Sequence, residues 1–194
     1  MEQVVKSGRG KELGGPGMDN SVWRRWVREI RFTWVLVGIL SVLPAVLYGT
    51  AFLSMMVLLG SVLLGAPTAL VALLVIKDTA WRARLCRRVV VLVAVSAMAV
   101  AVIKQTDKLT PSMAAPIAKA IEDFKQETGA YPDTLVALSP KYLPDLPAVR
   151  VAVIQPEVIY RVKEGLPYLA VPSALGDAFS KFEYNFGTMR WEHY

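Results

Sequence analysis

The chain has 194 residues, 54% of them hydrophobic and only 20% charged, with a formal net charge of +6. Divided by position, the basic excess lies in residues 1–103, with twelve Lys/Arg against five Asp/Glu, whereas residues 104–194 carry ten against eleven. Such a distribution points to contact with anionic lipid and to membrane orientation, and it argues against nucleic acid as a partner.

Residues 1–21 are polar and rich in glycine, and are expected to be disordered. Residues 22–31 read as an amphipathic helix at a membrane interface. Trp23 and Trp26 share one face with Val27 and Ile30, and Arg24, Arg25, Arg28 and Arg31 cover much of the rest. The same residues also suit the first turns of a membrane span. The polar lead-in and the length of the apolar stretch behind it predict an uncleaved anchor rather than a secretory signal.

Residues 32–76 contain no charged side chain. A helix needs roughly 20 apolar residues to cross a bilayer, so this run suits two spans, at about residues 32–48 and 51–76, with Gly49-Thr50 as the turn. Pro44 and Pro67 are tolerable there if other groups take up the carbonyls they free. Ser61, Gly65 and Ala69 form a stripe of small residues, and the pairs Ala45/Gly49 and Ala97/Ala101 share its spacing, which suits close helix packing. Residues 77–88 are basic, with Arg82, Arg84, Arg87 and Arg88 at the expected membrane interface. A third span at residues 89–103 has only 15 residues and crosses if the flanking cations snorkel. The lone cysteine, Cys86, excludes an intrachain disulfide and a zinc site. Both basic segments belong in the cytoplasm, which places everything after residue 103 outside it.

Residues 104–111 read as a polar linker, with Pro111 and Pro116 breaking any continuous helix into the next domain. A helix follows, with Ser112 as its cap, Ile117, Ala120, Ile121 and Phe124 as its apolar stripe and Gly129 as its end. A short helix at Leu135–Leu138, capped by Asp133, comes next. Strands are expected at residues 149–154, 158–162, 168–171, 181–186 and 188–191. The fold class is therefore a membrane protein with three transmembrane helices and an α+β soluble domain, residues 112–194, in which one helix packs on an antiparallel sheet.

Residues 117–147 carry a recognisable order of motifs. It runs Ala120-Ile121-Glu122-Asp123-Phe124, Thr128-Gly129-Ala130-Tyr131-Pro132, Leu135 with Leu138, then Pro140-Lys141-Tyr142-Leu143, closed by Pro147. This order resembles the pilin-like domain of type II secretion major pseudopilins and type IV pilins. The resemblance implies a pilin-like head, and in a two-membrane bacterium the topology expected from the basic segments puts that head in the periplasm. The family places Gly before Phe-Thr-Leu-Ile-Glu at its cleaved leader. This chain has Arg31-Phe32-Thr33-Trp34-Val35, so the resemblance implies the head without the fibre.

No catalytic constellation stands out. His193 is the only histidine, and Glu122 and Asp123 are adjacent and point to different helix faces. The expectation is an inner-membrane protein that is not an enzyme, uses no cofactor or metal, and displays its head to an envelope protein or a toxin. Two versions compete: an immunity protein against a type VI or contact-dependent toxin, and an accessory component of a secretion or pilus machine. Tyr184, Phe186, Trp191 and Tyr194 either complete the core of the sheet or form the partner surface.

Overall fold

The computed structural model describes Arg28, residues 31–175 and residues 179–194. The expected disordered segment and most of the interfacial helix, including Trp23, Arg24, Arg25 and Trp26, lie outside the described residues.

Three helices are long and apolar enough to cross a membrane. Helix α1 is Arg31–Tyr48 and α2 is Phe52–Val75. Both widen into a π turn, at Gly38–Val42 and Ser61–Gly65, immediately before Pro44 and Pro67. Proline cannot donate to the carbonyl four residues back. In each helix the residue just before the proline reaches back five residues instead, Leu43 N–H to the Gly38 carbonyl and Ala66 N–H to the Ser61 carbonyl. Each helix thus absorbs its proline without ending.

Helix α3 is Thr79–Asp107, so the helix that holds the expected third span, residues 89–103, runs beyond it at both ends. Asp78 caps it, its carboxylate accepting from the N–H groups of Ala80 at 2.8 Å and Trp81 at 3.3 Å. Most of the basic segment is therefore the start of the helix, and Arg82, Arg84, Arg87 and Arg88 ride on it. At 1.5 Å per residue, α3 is about 43 Å long and α2 about 36 Å, so length is not limiting for either.

The bundle closes on small and hydroxyl side chains. Ser61, Ala69 and Ala72 of α2 are buried. A Cβ at Gly65 would meet Val89 of α3 at 3.4 Å, so the small stripe does mark a close approach. Ala97 and Ala101 are both exposed, and that pair is not a packing stripe. At the centre, the Ser41 and Ser96 hydroxyls pair at 3.0 Å, and the Ser54 hydroxyl donates to the Ser41 carbonyl at 3.1 Å. One serine from each helix is thereby tied together, all fully buried. Val37 and Val91 extend the contact between α1 and α3.

The expected linker, residues 104–111, is corrected. Helix α3 runs through Asp107, and α4, Thr110–Thr128, starts after a turn at Lys108 and Leu109. Pro111 sits in the first turn, where its missing N–H is no loss. Pro116 lies inside α4. It and Ser112, whose carbonyl it cannot serve as an i+4 donor, are both exposed. The N-cap position belongs to Leu109, and the Ser112 hydroxyl donates to the Leu109 carbonyl rather than capping. Gly129 ends α4 in the left-handed region at φ 81°, as expected.

A 3-10 turn at Leu135–Leu138 follows, without the side-chain cap expected from Asp133. Strands β1 (Ile159–Lys163), β2 (Leu166–Pro172), β3 (Lys181–Asn185) and β4 (Arg190–His193) form an antiparallel meander in sequence order. The register pairs Arg161 with Tyr168, Ala170 with Glu183 and Tyr184 with Trp191. The strand expected at residues 149–154 does not form. The core of this α+β head lies between α4 and the sheet. It holds Ile117 and Ile121 from the helix, Leu138 and Val149 from the connection, and Leu169 and Val171 from β2.

Candidate functional site at the junction of bundle and head

Bundle and head meet in a polar knot that no local motif announces. Asp107, at the end of α3, is 4% exposed. Its carboxylate accepts from the Ser173 hydroxyl at 2.8 Å, the Ala174 N–H at 2.9 Å and the Thr110 hydroxyl at 3.3 Å. The turn after β2 is thus bound to the end of the third helix. The Ala51 N–H, at the start of α2, donates to the Ala174 carbonyl at 2.8 Å.

Arg150 completes the knot from the other side. It is 7% exposed, and its guanidinium donates to the carbonyls of Tyr48 and Pro172. Burial lowers the pKa of Arg150 from its ordinary value, and the nearby Asp107 carboxylate acts in the opposite direction. Its side chain lies over Gly49. A Cβ there would come within 2.7 Å of Arg150 Cδ, and Gly49 has φ 58°. Glycine is needed at that turn for both space and backbone conformation.

The next residues cap a helix to which they are remote in sequence. Val153 N–H donates to the Val46 carbonyl at 3.4 Å and Ile154 N–H to the Leu47 carbonyl at 2.7 Å. With Arg150 on Tyr48, three terminal carbonyls of α1 are served from the head. Helix ends leave such carbonyls without intrahelical partners.

Of the expected interface residues, Arg28 and Arg31 are exposed. Arg84 and Arg88 line a small recess with Trp81 and Leu85 on the first turns of α3. Arg82 and Arg87 are half-buried, and Arg87 Nε donates to the Ala83 carbonyl at 3.0 Å.

The motif residues of the head form its frame. Phe124 and Tyr142 meet edge to face at 5.3 Å. The Tyr142 hydroxyl donates to Glu127 at 2.6 Å, and Lys141 pairs with the same carboxylate. These two contacts, Lys141 first, hold Glu127 below the usual carboxylate value. Tyr131 packs on Phe186 at 5.5 Å, and Lys125 reaches its hydroxyl at 2.9 Å. Pro132 is buried, and its carbonyl accepts from the Tyr160 hydroxyl at 2.7 Å. Leu135 and Leu143 pack on the core, while Pro140 is exposed and Pro147 half-buried.

The aromatic group at the chain's end divides. Tyr184, Phe186 and Trp191 pack against the core, and the Tyr184 hydroxyl donates to Glu122 at 2.6 Å. Tyr194 alone of the four is exposed, at 61%. The His193 ring lies tilted against Phe182, their centroids 4.7 Å apart. Among the described residues, no group of three His, Cys, Asp or Glu is placed to hold a metal ion.

The chain matches no protein-family model, no curated protein and no solved structure.

Proposed function

We propose that this is a non-enzymatic inner-membrane protein that holds a pilin-like head at a fixed position on the periplasmic face for contact with another protein. One observation carries the reading: the head is welded to the bundle. A flexible tether would let a head roam. Here Asp107, Arg150 and the capping of α1 tie the head to all three helices. A partner would therefore meet the head at a set height and orientation above the bilayer, which lowers the ordering cost of binding.

Further support comes from pattern. A long helix, a short helical turn and an antiparallel meander follow one another in the order that the pilin resemblance implies. The basic residues gather at the end of the bundle away from the head, as expected for a cytoplasmic end. The resemblance favours an accessory role in a secretion or pilus machine.

The test is photocrosslinking from exposed head positions, Val136 and Leu166, in cells that produce the full chain. Crosslinks to a secretion or pilus component from those positions support the accessory role. Protection of cells against a membrane- or periplasm-acting toxin, without such crosslinks, would replace it with an immunity role. Neither result from any head position would overturn the interaction reading.

A further inference from the structure

One stretch of the head has the character of a membrane segment. Residues 151–154 read Val-Ala-Val-Ile, and Val151, Val153 and Ile154 are 50%, 71% and 45% exposed. The stretch takes no part in the sheet. Much of its backbone polarity is nevertheless taken up by protein. Val153 and Ile154 donate to α1, and Ala152 N–H donates to the Arg150 carbonyl at 3.0 Å. The Gln155 amide braces the same turn and takes up the Ala152 carbonyl. Its oxygen accepts from the N–H groups of Val149 and Arg150 at 3.0 and 3.1 Å, and its nitrogen donates to the carbonyls of Arg150 and Ala152 at 3.1 and 2.7 Å. A loop in water leaves such groups to solvent, whereas non-helical backbone at membrane depth must find protein partners. This loop turns apolar side chains outward, while the Val153 and Ile154 N–H groups and both backbone groups of Ala152 are paired with protein.

Beneath it lies a cleft of about 830 Å³ between α1 and α3. Val42 and Val46 form one wall, Met98 and Val102 the other, and Val151 and Val153 the roof. Thr106 is the one lining residue with a polar side chain, and its hydroxyl donates back to the Val102 and Ile103 carbonyls at 3.2 and 3.0 Å. The cleft thus offers no free hydrogen-bonding side chain. An extended peptide placed there would leave its own polar groups unpaired. A helix with its side chains is about 10–12 Å across, so three turns need more than about 1000 Å³ and would be only partly seated. A single apolar chain suits the space, and the walls continue directly into the outward apolar faces of α1 and α3.

We propose that residues 151–154 are set into the bilayer leaflet on the head's side, and that the cleft beneath them seats one acyl chain of a phospholipid. The proposal rests on the three-span reading, and its test separates the two. In a Cys86→Ser background, the full chain carries a fluorescent probe at Val153→Cys or, as the span control, at Leu64→Cys on the exposed face of α2. Each is placed in phosphatidylcholine–phosphatidylglycerol vesicles with or without bromine-labelled acyl chains. Both probes are expected to be quenched severalfold by the bromolipid and to be shielded from iodide. Quenching at Leu64 with iodide access at Val153 would overturn this proposal alone. Iodide access at both would overturn the three-span reading itself. A phospholipid with a photoactivatable chain then tests the seat. Labelling is expected to concentrate on the α1 and α3 wall peptides and to fall severalfold in Ala99→Phe, which fills the cleft, with the Leu64 signal unchanged. Labelling spread evenly over the bundle and indifferent to Ala99→Phe, or crosslinks joining two copies at the cleft, would overturn it.

Discussion

Replacing Asp107 by alanine should loosen the head from the bundle. The carboxylate accepts three hydrogen bonds, from Ser173, Ala174 and Thr110. The two hydroxyls can rotate toward other acceptors, but the Ala174 N–H is fixed by the backbone. A hydrogen bond to a charged group contributes about 1.5–3 kcal/mol, and a buried donor left unpaired costs about 1–3 kcal/mol. Arg150 also loses a nearby negative charge. The lost hydrogen bond and the unpaired donor overlap rather than add, so the expected loss is about 3 kcal/mol. Asp107→Asn, which keeps one acceptor oxygen, should lose less than Asp107→Ala. Hydrogen exchange of the peptides containing Ala51 and Ala174, in detergent micelles, reads the junction directly. A loss of about 3 kcal/mol corresponds to exchange faster by about two powers of ten. Unchanged exchange in Asp107→Ala, with the head still folded, would refute the idea that this carboxylate holds the junction.

Three other outcomes follow from the geometry. Gly49→Ala should lower thermal stability by more than the about 1–2 kcal/mol of a left-handed alanine, because its Cβ also strikes Arg150; a melting temperature equal to the parent's would contradict this. Ser41→Ala should cost about 0.6 kcal/mol and at most about 1.7, the range for hydrogen bonds between membrane helices; denaturant titration in mixed micelles measures it. Burial, with Tyr131 and Asp133 nearby, pushes the Tyr160 phenol up to about 12. The stability this gives is complete below the unfolded value of about 10 and is lost as pH rises from about 10 to about 12. Tyr160→Phe should therefore flatten part of the alkaline fall in melting temperature, and an unaltered profile would count against it.

What could be read from the chain and what could not differ in the distance between partners. The uncharged run at residues 32–76, the stripe Ile117, Ala120, Ile121 and Phe124, and the stops at Gly49 and Gly129 are local signals, and the helices follow them. The start of α3 is legible too, because Asp78-Thr79 is a capping sequence, but the basic residues behind it read as charge rather than helix. Asp107 is different. It sits among Thr106, Lys108 and Thr110 and looks like linker polarity, and two of its three partners lie 66 and 67 residues away. Arg150 left a trace, a single charge inside the apolar stretch Ala148 to Ile154. That stretch has the composition of a strand. It forms none because Gln155 and the end of α1 take its backbone groups instead. The aromatic residues at the chain's end are β-strand formers in any setting, so their alternation could not tell core from surface. Their packing on the core decides it for three of the four.

The central claim is that three helices cross the membrane and carry the head to the side opposite the basic start of α3. Alkaline phosphatase and green fluorescent protein, each fused after Tyr194, test it most directly. The account predicts phosphatase activity without fluorescence. Fluorescence without phosphatase activity would place the head in the cytoplasm, and would contradict both the three-span topology and a partner on the periplasmic face.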